Sequence, residues 1–289
     1  MLPLKDNNPT SRFPVLTVAL IVINVAVFLW QLNFPTDDRL EQAGFGPIEQ
    51  SSLEYGAIPY RITHPGTGDC AVGAVGEAQG QFEAGVVCPG TKDYAQAQAV
   101  SQESAGSDLG PFPIEEKAWW LTLLTSMFMH GGWLHIAGNM LFLWVFGNNI
   151  EDRLGRLWFG LFYVLAGLIA VYTQAVIDTS STAPTIGASG AIAGVLGAYA
   201  LLYPRARVLT LIFIVFFVTL VEIPALILLA LWFILQFVPA LGQVAVESGG
   251  GEGVAYFAHV GGFLFGLAVA GLLLLRAGGR EPEPRLPVY

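Results

Sequence analysis

The chain has 289 residues, of which 54% are hydrophobic and 12% are charged, and its formal net charge is −9. A mean hydropathy of +0.60 excludes a water-soluble globule for most of this length and indicates a polytopic membrane protein. The sequence has no basic stripe, so we expect the lipid bilayer, and no nucleic acid, among its partners.

Apolar stretches of spanning length predict an all-α bundle of six transmembrane helices. The stretches are residues 14–32, 120–147, 157–177, 190–203, 222–241 and 258–275. The apolar segment 207–220 is shorter than the roughly 20 residues that a helical crossing needs, so we expect it to lie in the interface or to pack as a re-entrant piece. No cleavable signal peptide is evident, and the first stretch is interpreted as a membrane anchor.

The basic residues predict the orientation, because Lys and Arg collect in cytoplasmic loops. With six crossings, nine of the 13 Lys and Arg residues fall on one side of the membrane. Both terminal segments, 1–13 and 276–289, are therefore predicted to be cytoplasmic. We expect a plasma membrane, in particular a bacterial inner membrane.

Residues 33–118, between the first two predicted helices, form the one sizeable polar segment. It holds 13 acidic and 4 basic residues, so its net charge equals that of the whole chain. Its Gly, Ala, Gln and Ser content predicts a long, irregular external loop with little regular core. The two cysteines, Cys70 and Cys88, both lie here. A disulfide is expected in an oxidising compartment, and two reduced, unrelated thiols are the alternative.

Polar side chains lie at the start of three predicted helices. His130, His135 and Asn139 open the second helix, Ser189 opens the fourth, and His259 opens the sixth. Because the even-numbered helices all cross in the same direction, these starts share one depth near the external side. Their side chains can therefore converge on one site.

A serine hydroxyl beside an imidazole provides the minimum for nucleophilic catalysis of acyl transfer. Taken alone, Ser189 is more typical of a packing residue, since glycines follow it on the same helix. A histidine at membrane depth is costly, so His259 indicates a functional site. Gly262 and Gly266 form a Gly-x-x-x-Gly pair that allows close approach of the His259 helix to the Ser189 helix.

No acidic residue is well placed to orient His259. Asp178 and Glu252 lie in predicted loops, and Glu222 lies at the far end of the fifth predicted helix. This pattern favours a Ser-His dyad over a full triad. His135 and Asn139 are four residues apart and share one helix face, where both side chains can donate hydrogen bonds to an oxyanion.

With these motifs the chain resembles the rhomboid intramembrane serine proteases over residues 117–275. The resemblance rests on His130-x4-His135-x3-Asn139, Gly187-Ala188-Ser189-Gly190 and Ala258-His259-x-x-Gly262. It implies Ser189 as nucleophile, His259 as general base, and His135, Asn139 and the Ser189 amide as oxyanion stabilisers. His130, Gly187, Gly190 and Gly262 are expected to support them.

The same resemblance implies an endopeptidase for single-span membrane proteins, which it cleaves in or near their transmembrane helices. It implies no metal and no organic cofactor. Ser126, Thr125, His130 and Asn139 are expected to line a water-accessible approach to the serine. Substrate entry is expected to need movement of the fifth helix or of the Gly249-Gly250-Gly251 run before His259.

Some positions depart from the family pattern. Leu121 follows Trp119-Trp120 where the family has a Trp-Arg pair, and Ala193 stands where some members carry a tyrosine that stacks on the histidine. Tyr256, Phe257 or a neighbouring helix is then expected to position His259. Glu151 and Arg153 resemble a structural cluster of the family, with a solvated loop pair as the alternative.

Two other functions stay open from the sequence. One is a catalytically inactive rhomboid-like protein that binds membrane clients, and the other is a small transporter, although no internal repeat is detectable. Two other classes of intramembrane protease are excluded. The string Gly66-Thr67-Gly68-Asp69 lies in the polar segment, and the chain contains no His-Glu-x-x-His motif.

Overall fold

The computed structural model describes residues 2–78, 81–103, 111–115, 117–214, 217–245 and 254–276. Helices dominate these residues, as predicted, but two three-stranded sheets accompany them, so the fold is mostly helical rather than all-α. Three features of the sequence fall outside the described residues, namely Glu252, the glycines 249–251 and the tail from residue 277.

The N-terminal part consists of strand β1 (Leu2–Asp6) and helix α1 (Val15–Gln31). Glu151 binds the start of α1, because its carboxylate accepts hydrogen bonds from the backbone N–H groups of Leu16 and Thr17 at 2.9 and 2.7 Å. The first N–H groups of a helix have no partner within the helix, and a carboxylate there is stabilising. Glu151 is 3% exposed, so it is not part of a solvated pair.

Within the polar segment, residues 38–78, 81–103 and 111–113 fold into a small lobe, which we call the polar lobe. Its elements are α2 (Asp38–Gln42), α3 (Pro47–Tyr55), α4 (Pro59–Thr63), β2 (Ala71–Ala78), β3 (Gln81–Val87), α5 (Lys92–Glu103) and β4 (Phe112–Pro113). The strands form an antiparallel sheet of order β3-β2-β4. The expectation of an irregular loop is therefore wrong. Cys70 and Cys88 form a disulfide that packs with Ile58 and Tyr60 in a buried cluster.

The region of the predicted second helix, 120–147, and the residues up to 154 form several separate pieces. They are α6 (Trp119–Thr125), a 3₁₀ turn at Ser126–Phe128, α7 (Trp133–Phe142), a π-helical turn at Leu143–Gly147 and α8 (Asn148–Leu154). The main break comes before α7, where Gly132 adopts a φ of 157°. Residues with a side chain rarely adopt this conformation, so the glycine ends one helical segment and allows the next to begin.

The remaining elements are α9 (Arg156–Ile177), α10 (Ser189–Leu202), β5 (Arg207–Ile214), β6 (Phe217–Pro224), α11 (Ala225–Ala245) and α12 (Tyr256–Arg276). Strands β5 and β6 form a hairpin, and β1 pairs with β5 to complete a sheet of order β1-β5-β6. The segment 207–220, expected to lie in the interface or to pack as a re-entrant piece, contributes to both strands of this hairpin, and the fifth helix begins at Ala225 rather than at 222. Segments rich in Val, Ile, Thr and Phe favour β-strands, and this composition explains the hairpin.

Two of the helices in the described part of the chain, α9 and α12, are long and apolar enough to cross a membrane by length and composition. Shorter apolar helices are Val15–Gln31, Trp119–Phe128, Ser189–Leu202 and Ala225–Leu241. Helix length and composition therefore support two crossings in the described part of the chain and not the six that the sequence predicts. Large apolar side chains such as Leu157, Trp158, Leu264 and Leu275 are exposed on the surfaces of α9 and α12. Such surfaces suit contact with lipid.

Helix α10 lies at the centre of the helical core, where α9 and α12 pack against it. A Cβ atom added to Gly262 would overlap the backbone carbonyl of Gly190, and one added to Gly266 would overlap that of Gly194. The glycines are therefore what allows the two backbones to touch. This contact sets the distance between the first turns of α10 and α12.

Candidate active site

Ser189 and His259 meet where α10 and α12 begin. Ser189 is the first residue of α10, and His259 lies in the first turn of α12. Their Oγ and Nε2 atoms are 2.7 Å apart, although the residues are 70 positions apart in the sequence. Both line a cavity of about 860 Å³. This distance is within the range in which an imidazole can take a proton from a hydroxyl.

His135 lies beside this pair on α7. Its Nδ1 atom accepts a hydrogen bond from the backbone N–H of Gly131 at 3.3 Å. A neutral imidazole that accepts at one nitrogen carries its proton on the other, so Nε2 of His135 is a donor. A Cβ atom at Gly187 would lie 2.8 Å from this Nε2 atom and 3.5 Å from Ser189 Oγ. Gly187, whose φ is 121°, therefore leaves open the space between the two side chains.

Asn139 follows one turn later on α7 and lines the same cavity. Asn139 is 8% exposed, and its Nδ2 atom has no hydrogen-bond partner within the described part of the chain. An unpaired buried donor costs free energy, about 1 to 3 kcal/mol. Ser189 is the first residue of α10, and the first backbone N–H groups of a helix have no partner within the helix.

His130 lies behind His135 and does not line the cavity. Its backbone N–H donates to Gln31 Oε1 at 2.9 Å, and its ring meets that of His135 edge-on at 5.1 Å between centroids. These contacts place His130 as a brace for the His135 ring.

Thr125 and Ser126 do not line the cavity either, so the expected approach is wrong for these residues and for His130, whereas Asn139 does line it. Thr125 Oγ1 instead donates to the carbonyl of Tyr55 at 2.6 Å, and the Ser126 carbonyl accepts from the Gly187 N–H at 2.8 Å. Both residues hold the backbone around the site.

Helix α11 contributes two side chains that the sequence did not identify. Gln236 Oε1 lies 2.8 Å from His259 Nδ1, and the Trp232 ring lies 5.9 Å from the His259 ring. Residues four apart lie on one helix face, so both reach the histidine together. Tyr256, Phe257 or a neighbouring helix was expected to position His259, and the contacts show that the neighbouring helix α11 does so. The available signal was Gln236 itself, a polar residue within the apolar stretch Ala225–Leu241.

The polar lobe closes one side of the site. Phe45, Ile48 and Leu53 of the lobe line the cavity. Ala57 and Thr185 exchange backbone hydrogen bonds at 3.1 and 2.8 Å, which fixes the segment that leads to Ser189. Any ligand of Ser189 therefore lies close to the lobe.

The titratable groups of the cavity give no alternative partner for His259. Asp178 lines the cavity at the end of α9, and burial raises the pKa of its carboxyl group. His259 Nδ1 instead faces the Gln236 amide. Among the residues that the structure describes, no group of three or more His, Cys, Asp or Glu side chains could hold a metal ion.

Comparison with known proteins identifies one family. The profile of the Rhomboid domain matches residues 117–276. RHOMBOID-like protein 5 of Arabidopsis thaliana is 35% identical over 29% of this chain and 27% of its own length. Rhomboid protein 1, mitochondrial, of Saccharomyces cerevisiae is 34% identical over 32% of this chain and 28% of its own length. The human presenilin-associated rhomboid-like protein, mitochondrial, is 38% identical over 33% and 25%.

The chain thus spans about a quarter of the length of these curated relatives. Their names also correct the expected location. The yeast and human relatives are mitochondrial proteins, so the expectation of a bacterial plasma membrane, with cytoplasmic termini and an externally open site, is wrong. The family profile covers more than half of the residues and all of the polar cluster around Ser189. The chain belongs to the rhomboid family.

Proposed function

We propose that the chain is an intramembrane serine endopeptidase that cleaves single-span membrane proteins in or near their transmembrane helices. The observation that carries the proposal is the 2.7 Å contact between Ser189 Oγ and His259 Nε2 at the wall of a cavity. The proposal extends to a bundle that crosses the membrane six times, in which the shorter apolar helices also span. The names of the yeast and human relatives support a mitochondrial membrane.

The proposed reaction proceeds through an acyl-enzyme. Ser189 Oγ attacks the carbonyl carbon of the scissile peptide, and its proton passes to His259 Nε2. The protonated imidazole then gives this proton to the amine nitrogen as the C–N bond breaks. A water molecule, deprotonated by His259, attacks the ester, and Ser189 Oγ leaves with the proton. Hydrolysis of the ester releases the new carboxylic acid and returns both side chains to their starting state.

The negative oxygen of each tetrahedral intermediate needs donors that are already in place. His135 Nε2–H, Asn139 Nδ2–H and the Ser189 backbone N–H are proposed for this role. Asn139 Nδ2 has no partner among the described residues, which supports this role, because a donor held ready for a reaction intermediate is unpaired before the reaction.

The test is cleavage of a single-span reporter helix by the purified protein in liposomes. We expect Ser189→Ala to lower the rate by about 10³-fold or more. Ser126→Ala is the matched control, because Ser126 is a buried serine that does not line the cavity. It should leave the rate within about twofold of wild type.

Labelling with a fluorophosphonate provides the second readout. The wild-type protein should label, and Ser189→Ala should not. Cleavage that survives in Ser189→Ala would refute the proposal. A folded wild-type protein that neither labels nor cleaves, yet retains a single-span helix in liposomes, would instead favour the inactive client-binding alternative.

A further inference from the structure

We propose that Gln236 is a positioning residue that fixes the tautomer and the ring orientation of His259. The proposal rests on the proposed serine protease function and assigns the group that takes the place of a triad carboxylate. It is carried by the 2.8 Å contact between Gln236 Oε1 and His259 Nδ1, on the side of the ring opposite to Ser189.

The direction of the hydrogen bond decides which nitrogen can act as a base. The amide oxygen of Gln236 only accepts, so His259 Nδ1 carries the proton. His259 Nε2 then has a free lone pair that points at the Ser189 hydroxyl at 2.7 Å. The opposite tautomer would place a proton between Nε2 and Oγ and could not deprotonate the serine. The Gln236 oxygen therefore selects the reactive tautomer.

The same oxygen also helps later in the reaction. When His259 is protonated, both ring nitrogens are donors, and an acceptor at Nδ1 stabilises the cation. Gln236 offers a neutral dipole for this purpose, which is weaker than a carboxylate but avoids placing a fixed negative charge among apolar helices.

The packing around the ring explains why this support has to come from α11. Ala193, one turn after Ser189, has too short a side chain to stack on the imidazole. Trp232 and Gln236 lie on one face of α11, and both contact His259. His135 of α7, Asp178 after α9 and Glu49 of the polar lobe are the other titratable side chains that line the cavity, among the residues that the structure describes. The base is therefore oriented by a helix that carries neither the nucleophile nor the base.

The experiment compares two substitutions of similar length, Gln236→Met and Gln236→Glu, in the liposome assay. Met removes the acceptor and should lower kcat by about tenfold with KM within twofold, the size expected for one lost hydrogen bond. Glu keeps the acceptor and should retain a kcat within about threefold of wild type at high pH. A carboxylate stabilises the protonated imidazole, so the acid limb of the pH profile should move up by about one pH unit or more.

Gln174→Met is the matched control. Gln174 Oε1 also accepts a hydrogen bond from α12, but from the backbone N–H of Ala258 at 3.3 Å and not from the imidazole. This substitution removes a similar amide from the same region. Because that amide does not contact the imidazole, the pH profile of cleavage should stay unchanged.

The outcomes separate this proposal from the proposed function. If wild type shows no Ser189-dependent cleavage, the protease function itself fails. If wild type cleaves, and Gln236→Met matches its kcat and pH profile, only the role of Gln236 is refuted. Should Gln236→Met fail to fold, Gln236→Glu decides alone, because an unmoved acid limb would refute the positioning role.

Discussion

The two ends of α10 each carry a buried polar cluster, and the clusters differ in how their hydrogen bonds are satisfied. At the first turn, Ser189 and Asn139 line the cavity, and Asn139 Nδ2 has no partner in the described structure. Near the last turn, Tyr199 Oη and Asn149 Nδ2 both donate to Asp6 Oδ2, at 2.5 and 2.8 Å.

The difference separates side chains that line a cavity from a cluster that joins three elements of the fold. Among the described residues five buried side-chain atoms have no hydrogen-bond partner, one of them Asn8 Nδ2 close to Asp6, but of these five residues only Asn139 lines the cavity. At the other end, Asp6 of β1 is joined to α8 and α10, and the cluster ties the N-terminal strand to the core. Substitutions at the first cluster should therefore affect activity, and those at the second should affect stability.

The largest expected effect is at Asn139. Asn139→Leu removes a proposed oxyanion donor with little change in side-chain volume, so cleavage should fall by about 10² to 10³-fold. Stability should stay the same or rise, because the unpaired buried donor disappears. Liposome cleavage and thermal unfolding in detergent measure the two effects. A loss of activity that only follows a loss of folded protein would contradict the assignment.

The next effect is the pH dependence that Asp6 confers. Burial raises the pKa of its carboxyl group from 3.8 to about 6. The folded state therefore binds this proton more tightly than the unfolded chain. The resulting stability is complete below pH 4 and is lost as the pH rises through 6, by about 3 kcal/mol.

Asp6→Asn should remove this dependence. Between pH 4 and 7 the unfolding temperature of the wild-type protein should fall relative to that of the variant. Parallel curves for the two proteins would show that the Asp6 carboxyl does not titrate in the folded state in this range.

The smallest effect is at Asn149, the counterpart of Asn139 in the second cluster. Asn149→Leu leaves the Asp6 carboxylate with one side-chain donor fewer, so the free energy of unfolding should fall by about 2 kcal/mol. The cleavage rate per folded molecule should stay within about twofold of wild type. If Asn149→Leu lowered the cleavage rate as far as Asn139→Leu does, without loss of stability, the distinction between the two ends of α10 would be refuted.

Much of the site could be predicted because its signals are local. Ser189 and His259 each open an apolar helix, and Gly262 and Gly266 follow His259 at the spacing of one helix face. These patterns depend on residues within a few turns, which a single sequence displays. The structure brings Ser189, His259, His135 and Asn139 together around one cavity.

Other features depended on contacts between distant segments. Residues 207–220 are apolar enough for an interfacial helix, but pairing with β1 from the N-terminus favours a strand, and β1 is about 200 residues away. Likewise, the acidic segment has a composition typical of a loop, while its sheet depends on pairing of residues 71–78 with residues 81–87 and on the Cys70–Cys88 disulfide.

The sequence by itself determined that the chain is rich in membrane-compatible helices and that a serine and a histidine begin two of them, because hydropathy and periodicity are properties of contiguous residues. Only the tertiary structure decided which group faces the second nitrogen of His259. Gln236 is one polar residue in an apolar helix, and its role follows from the way α11 packs on α12, which brings its amide oxygen to 2.8 Å from the imidazole.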